Sequence, residues 1–348
     1  MATASARISP DRNPSVLNRV PEDDEIEELD EEEILEEQGF YRGDYRQLVA
    51  LYTLAPLTSV VGLALLAALP YVAYHLRDGH PSTYPYLAIL PFPLPELVAS
   101  AGLYCLTYLL RGPFYAVPAF IIPFPQTAAL ISTTLYTLLS IFARFAVLAL
   151  LLVRQYAAHP FPTWHDHAFF RVWWVALGWA AADAAISVYQ GYAGLAVYRD
   201  VLIPSCDPPS DPECTPLLPS RPAAPLDPEI EVENDIEQLV ALKAREDLED
   251  TYGVPLIHIP AFIPCLQRIN AILLSIGLFL LLGAAIYPGR GSRPWVLGTL
   301  ATATHLLLAV LHAPFVLPRV GVQNAAYVGA IVSLGAIFAG LGVWGGIS

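Results

Sequence analysis

The sequence predicts an all-α, polytopic integral membrane protein with about seven transmembrane helices. The 348 residues are 55% hydrophobic and only 14% charged, whereas charged residues make up about a quarter of a typical soluble domain. The acidic residues are also confined to two segments: residues 1–46 contain 14 acids and 5 basic residues, and residues 200–252 contain 14 acids and 3 basic residues. The rest of the chain is nearly free of carboxylates, as contact with lipid requires.

Composition and motifs also exclude several functions. The net charge of −14 and the lack of a basic segment predict no nucleic-acid partner. The sequence contains no Walker loop, no Gly-x-Ser-x-Gly and no His-Glu-x-x-His. We therefore predict no cofactor, and an enzyme is the less favoured reading.

Residues 1–46 are predicted to form a disordered acidic tail. Like charges repel along 21–38, where carboxylates dominate. The tail lacks the apolar core of a signal peptide, so the first spanning helix is expected to act as an uncleaved anchor.

Seven apolar stretches follow, each compared with the roughly 20 residues that cross a bilayer. They are 48–69, 94–110, 127–153 and 169–198 within residues 47–199, and 266–287, 295–313 and 322–345 within residues 266–348. The second stretch is the weakest, because it lies in a segment, 81–125, that contains nine prolines. Proline removes a backbone donor, so we predict that no single straight helix forms there. The apolar piece 119–125 is predicted to be a connecting loop or, alternatively, an interfacial or re-entrant segment.

Residues 200–265 are predicted to form one large acidic loop. Residues 204–228 are rich in proline and are expected to lack regular structure, whereas 229–250 has the pattern of an amphipathic helix. The apolar stripe of this helix consists of Ile236, Leu239, Val240 and Ala244. It either docks on the membrane domain itself or binds a protein partner. More Lys and Arg flank the side of the membrane that holds the N-terminal tail and this loop, so both are predicted to be cytosolic and the C-terminus lumenal.

The same loop contains Glu213-Cys214-Thr215-Pro216-Leu217-Leu218. This hexapeptide resembles the acidic dileucine signal Glu-x-x-Pro-Leu-Leu of endosomal, lysosomal and vacuolar membrane proteins. The resemblance rests on Glu213, Pro216, Leu217 and Leu218. It implies recognition by clathrin adaptors and an endomembrane location, with a vacuolar or endolysosomal membrane favoured. The alternative is an incidental exposed leucine pair.

Three polar residues lie within predicted spans, where they are costly and therefore candidates for function. Arg144 lies in 127–153, Asp183 in 169–198 and His305 in 295–313. The depths of Arg144 and Asp183 differ by about 8 Å at 1.5 Å per residue, so a direct ion pair between them is predicted. The pair serves either as a structural contact or as part of a proton or substrate relay.

Several histidines are predicted to lie on the non-cytosolic side of the membrane. They are His75, His80, His159, His165 and His167, and they form weak candidates for a zinc or iron site. Their spacing does not match the histidine boxes of membrane desaturases or the His-x-x-x-His of seven-span zinc hydrolases. Solvated interfacial histidines are the alternative, and the metal remains unknown.

These observations favour a transporter-like protein, or an accessory component of a transporter, with Arg144, Asp183 and His305 as its polar core. One alternative is a membrane scaffold that docks a partner through the helix 229–250. Another is a metal-dependent enzyme that modifies lipids.

Overall fold

The computed structural model describes residues 40–77, 93–157, 159–203, 228–287 and 294–347. The described part is almost entirely helical, with two strands of two residues each, which confirms the helical fold class. Five helical stretches are long and apolar enough to cross a membrane: Tyr45–Val72, Pro125–Leu150, His167–Ala196, Phe262–Ile286 and Val322–Val343.

Ten α-helices are described, numbered here in chain order. They are α1 (Tyr45–Tyr52), α2 (Leu54–Arg77), α3 (Leu94–Ile121), α4 (Pro125–Leu150), α5 (His167–Ala196), α6 (Pro228–Tyr252), α7 (Phe262–Ile286), α8 (Pro294–Leu311), α9 (Leu317–Val320) and α10 (Val322–Val343). Short 3₁₀ helices cover Val153–Tyr156 and Leu256–His258.

The structure divides into two compact units. One comprises residues 1–45 and 200–218, and in its described part β1 (Tyr41–Arg42) pairs in parallel with β2 (Leu202–Ile203). The other comprises residues 46–199 and 219–348 and forms the helical bundle.

Helix α3 corrects the prediction for the proline-rich segment. Instead of ending near residue 110, it continues unbroken through Pro113 and Pro118 to Ile121. The piece 119–125 is therefore a connecting loop only in part: residues 119–121 complete α3, residues 122–124 form the connection, and Pro125 begins α4. A proline inside a helix removes one backbone hydrogen bond and crowds the carbonyl four residues earlier, but tertiary packing can override such a local preference. Pro118 is buried, and its carbonyl accepts the amide of Ile122 at 2.9 Å.

The core of the bundle lies around α5 and α7. Trp173 and Trp179 of α5 and Phe279 of α7 are almost completely buried. Close helix contacts depend on glycine: a Cβ on Gly277 of α7 would lie 2.6 Å from the Ala336 carbonyl carbon of α10. Small residues allow backbones to approach in this way, and they fix α7 against α10.

Trp344, just after α10, closes one end of the bundle. Its indole Nε1 donates to the Leu280 carbonyl at 2.9 Å. Its own carbonyl accepts the Trp164 amide at 2.8 Å. The ring also contacts Phe169 and Tyr287, with centroids 5.5 and 5.7 Å apart. Trp344 therefore joins α7, α10 and the segment before α5.

Candidate functional site

Arg144 lies on α4 and is buried by aromatic rings. Its guanidinium lies 4.4 Å above the Trp179 ring and 5.7 Å from the Phe279 ring, and it donates to the Ser140 hydroxyl. The Nε atom is buried and has no hydrogen-bond partner among the described residues. Cation–π contacts stabilise a cation that has been removed from water. The Arg144 guanidinium therefore keeps its charge inside the bundle, at a position where burying a charge is costly.

Asp183 is one helical turn beyond Trp179 on α5. Its Oδ1 accepts a hydrogen bond from the Tyr104 hydroxyl of α3 at 2.6 Å. The Tyr104 ring in turn packs edge-on against Trp179, with centroids 5.3 Å apart.

Among the described residues no hydrogen bond or ion pair joins Arg144 to Asp183, so the predicted direct contact is wrong, although the two charges attract each other at longer range. The indole of Trp179 contacts both the Arg144 guanidinium and the Tyr104 ring, and so takes the place of the carboxylate beside the arginine.

Asp183 instead faces a cavity of about 290 Å³, the inner cavity. Residues of α5, α7, α8 and α10 line it. Its polar and ionisable lining residues are Asp183, Ser187, Gln267, Arg268, Asn270, His305 and His312.

Asn270 and His305 define two walls of the inner cavity. The Asn270 amide donates to the Ala326 carbonyl at 2.8 Å, which joins α7 to α10. Nδ1 of His305 is buried without a hydrogen-bond partner among the described residues. Of the three predicted polar-core residues, the inner cavity thus brings together Asp183 and His305, whereas Arg144 is not part of its lining.

A larger cavity of about 580 Å³, the outer cavity, lies between α1, α5, α6 and the start of α7. Its two charged lining residues are Arg111 and Arg268, and most of the remaining lining is apolar or aromatic. Ser187, Gln267 and Arg268 line both cavities. The two cavities therefore adjoin at three polar residues.

Sequence reasoning missed a buried ion pair between α3 and α5. Glu96 is fully buried, and its Oε1 lies 3.1 Å from Nε of Arg171. Arg171 also donates to the Leu151 carbonyl at 2.9 Å and lies 3.6 Å from the Tyr156 ring centroid. The available signal was that acidic residues are scarce in the membrane region and that Glu96 is one of those few acids. Its position at the start of the weakest predicted span concealed its importance.

Asp166 is buried at the start of α5. It accepts hydrogen bonds from the Tyr287 hydroxyl and is paired with the His159 imidazole. Burial, and then the hydrogen bond to Asp166, raise the pKa of Tyr287 above its ordinary value, so Tyr287 remains a donor at neutral pH.

Those of the predicted metal-ligand histidines that the structure describes are not gathered into a site. Among the described residues, no group of three His, Cys, Asp or Glu side chains is placed to hold a metal ion. His159 pairs with Asp166, and the His165 ring stacks on Trp164 with centroids 4.0 Å apart. His80 and the His75 side chain lie outside the described residues.

Helix α6 occupies Pro228–Tyr252, where a helix over 229–250 is predicted. Its C-terminal end is anchored: the Tyr198 hydroxyl donates to Glu249 at 3.0 Å. The predicted docking residues Ile236, Leu239 and Val240 are 55%, 64% and 64% exposed. The predicted sorting signal, Glu213 to Leu218, lies outside the described residues.

Comparisons of the chain with protein-family models, with curated proteins and with solved structures gave no match. Function must therefore be inferred from the cavities and buried polar residues. Polar residues that two adjoining cavities share can hold a solute, exchange protons with it or pass it on.

Proposed function

We propose that this chain is a seven-span transport protein, or a transport component, of an endomembrane compartment, and that its solute path runs through the outer and inner cavities. The observation that carries the proposal is the shared lining of the two cavities by Ser187, Gln267 and Arg268. In such a path, Asp183 and His305 are ionisable groups that a solute or proton meets in the inner cavity, beyond the three shared residues.

Two further helices support the number seven. In addition to the five long apolar helices, α3 has 28 residues and α8 has 18. At 1.5 Å per residue, 18 residues extend about 27 Å, close to the roughly 30 Å hydrocarbon core. Seven spans place the tail and the large loop on one side of the membrane, which their flanking basic residues favour as the cytosol.

The water path can be tested without knowing the solute. In Ser187→Cys, the new thiol would lie where the two cavities adjoin. A membrane-impermeant methanethiosulfonate reagent added from the cytosolic side should label it. Ile331→Cys is the matched control, because Ile331 is 73% exposed on the apolar helix α10 and lines neither cavity. A thiol in lipid stays protonated and unreactive.

The reaction should be followed as mass shifts above those of the parent protein, whose native cysteines provide the background. Faster labelling of Ser187→Cys than of Ile331→Cys supports the path. Equal, slow labelling of both variants contradicts it.

The proposed location depends on the dileucine resemblance. In Leu217→Ala/Leu218→Ala, the adaptor signal would be removed, and a tagged protein should leave the vacuolar or endolysosomal membrane for another compartment. A variant that stays where the parent protein resides would remove the support for clathrin adaptors as partners.

A second candidate function is favoured by the exposed stripe of α6. Because Ile236, Leu239 and Val240 are exposed while Glu249 anchors the helix, the stripe would be available to a protein partner of a membrane scaffold. In Leu239→Asp/Val240→Asp, a chemically cross-linked partner seen with the parent protein should disappear while the melting temperature is unchanged. Identical cross-links in both would exclude this role.

A further inference from the structure

We propose that the outer cavity binds an anionic amphiphile, namely a single acyl chain with a carboxylate or phosphate head, and that Arg268 binds the head. The inference rests on the proposed function in one respect, since it names the class of molecule that would use the path. Binding itself is measurable without transport.

Charge in the cavity favours an anion. Arg111 and Arg268 line it, and among the described residues no carboxylate is part of its lining. Within the described residues no hydrogen bond or ion pair neutralises Arg268, and the nearby Gln267, Ser187 and Gln190 offer neutral polar groups. A guanidinium binds carboxylate or phosphate oxygens through paired, charge-assisted hydrogen bonds.

The rest of the lining favours an apolar chain attached to that anion. Leucine and isoleucine side chains from α1, α5, α6 and the 3₁₀ helix contribute to it, among them Leu48, Leu195, Leu248 and Ile257, together with alanine, proline, valine and tyrosine residues. A volume of about 580 Å³ is typical of small-molecule sites, which run from about 300 to 1,000 Å³. A small inorganic anion would leave most of this apolar surface without contact.

The depth of Arg268 agrees with an amphiphile at the membrane boundary. Arg268 is six residues beyond the start of α7, which places it about 9 Å into the helix. Tyr189, which also lines the cavity, is 74% exposed. The cavity is thus bordered by an accessible aromatic residue, and Arg268 lies where it adjoins the inner cavity.

Binding should be measured on the full-length chain in phosphatidylcholine nanodiscs. Radiolabelled oleate is the probe, and oleoyl lysophosphatidate, neutral monoolein and inorganic phosphate are the competitors. We expect both anionic lipids to compete, and the stronger competitor identifies the head as carboxylate or phosphate. Monoolein and inorganic phosphate should not compete. Full competition by inorganic phosphate or by monoolein would overturn the proposal.

Variants test the two halves of the site separately. Arg268→Gln should weaken oleate binding about tenfold or more, as expected for the loss of a charge-assisted contact, and Arg268→Lys should weaken it less. Ala193→Trp, which introduces a large ring into the lining without changing charge, should also weaken it. Arg319→Gln is the matched control, because Arg319 lines neither cavity, and it should bind like the parent protein.

Unchanged affinity in Arg268→Gln, with an unchanged melting temperature, would overturn the assignment of the head group. The labelling of Ser187→Cys separates this result from the proposed function. Labelling without oleate binding refutes the amphiphile and leaves the path intact. Oleate binding without labelling supports the proposed amphiphile site and refutes the proposed solute path.

Discussion

Asp166 is a buried carboxylate that two distant side chains satisfy. His159 precedes it in the loop, and Tyr287 follows α7. Removing one donor from a buried acceptor costs about 1–3 kcal/mol. We therefore expect Tyr287→Phe to lower the apparent melting temperature of the purified protein, and Tyr327→Phe, an exposed tyrosine of α10, to leave it unchanged.

The effect of Tyr287→Phe should not depend on pH in the neutral to mildly alkaline range. The pKa of Tyr287 is raised in the folded protein. Its contribution to the free energy of unfolding is therefore fully present below the unfolded pKa of about 10, and it is lost only as pH rises through the folded pKa. Melting curves at about pH 7.5 and 9 should give the same difference between Tyr287→Phe and the parent protein. A difference that disappears at the higher pH would contradict the hydrogen bond as described.

The Glu96–Arg171 pair should behave as a coupled unit. Removing one member leaves a buried charge without its counter-ion and costs about 3–5 kcal/mol. We expect Glu96→Leu and Arg171→Leu each to lower the melting temperature strongly, and the double variant to be less destabilised than the two single effects combined. Arg154→Leu, at an exposed position nearby, is the control. If the decreases in melting temperature of the two single variants add up to that of the double variant, the two residues act independently.

At the scale of elements, glycine decides how closely α7 and α10 pack. A Cβ at Gly277 would meet the backbone of Ala336 and Ile337 at 2.6 and 2.7 Å, whereas a Cβ at Gly335 would meet nothing within 4 Å. Overpacking of this kind costs about 1–3 kcal/mol. Gly277→Ala should therefore lower the melting temperature, and Gly335→Ala should leave it unchanged or raise it. Equal effects of both variants would mean that the two helices separate at little cost.

Elements with continuous apolar sequence were predictable, and elements interrupted by proline were not. Spans such as 266–287 coincide closely with observed helices because length and hydropathy alone define them. Helix α3 extends 11 residues beyond the predicted limit of 110, because whether a helix passes Pro113 and Pro118 depends on its neighbours and not on local propensity.

The arrangement of the polar residues inside the bundle could not be predicted from the sequence. Cost in lipid singled out Arg144, Asp183 and His305, of which Arg144 is buried and the other two line the inner cavity. Helical depth alone, however, suggested a direct contact between Arg144 and Asp183 that does not form. Depth does not fix the rotation of each helix about its axis, and rotation decides that Asp183 meets Tyr104 while Arg144 meets Trp179.

At the scale of the whole molecule, the proposed number of seven spans makes a directional prediction. With seven crossings, an epitope tag at the N-terminus and one at the C-terminus lie on opposite sides of the membrane. Protease added to sealed vesicles with the cytosolic face outward should remove the N-terminal tag and spare the C-terminal one. Removal of both tags would indicate an even number of crossings, and detergent should expose both in either case.

The contacts of Trp344 also affect the order in which the protein assembles during synthesis. Its partners, Trp164 and Leu280, leave the ribosome 180 and 64 residues earlier. Until Trp344 follows, Phe169 and Tyr287 lack the ring that packs between them. One end of the bundle therefore stays open while translation continues, and during that interval insertion factors or chaperones have access to aromatic surface that the finished protein hides.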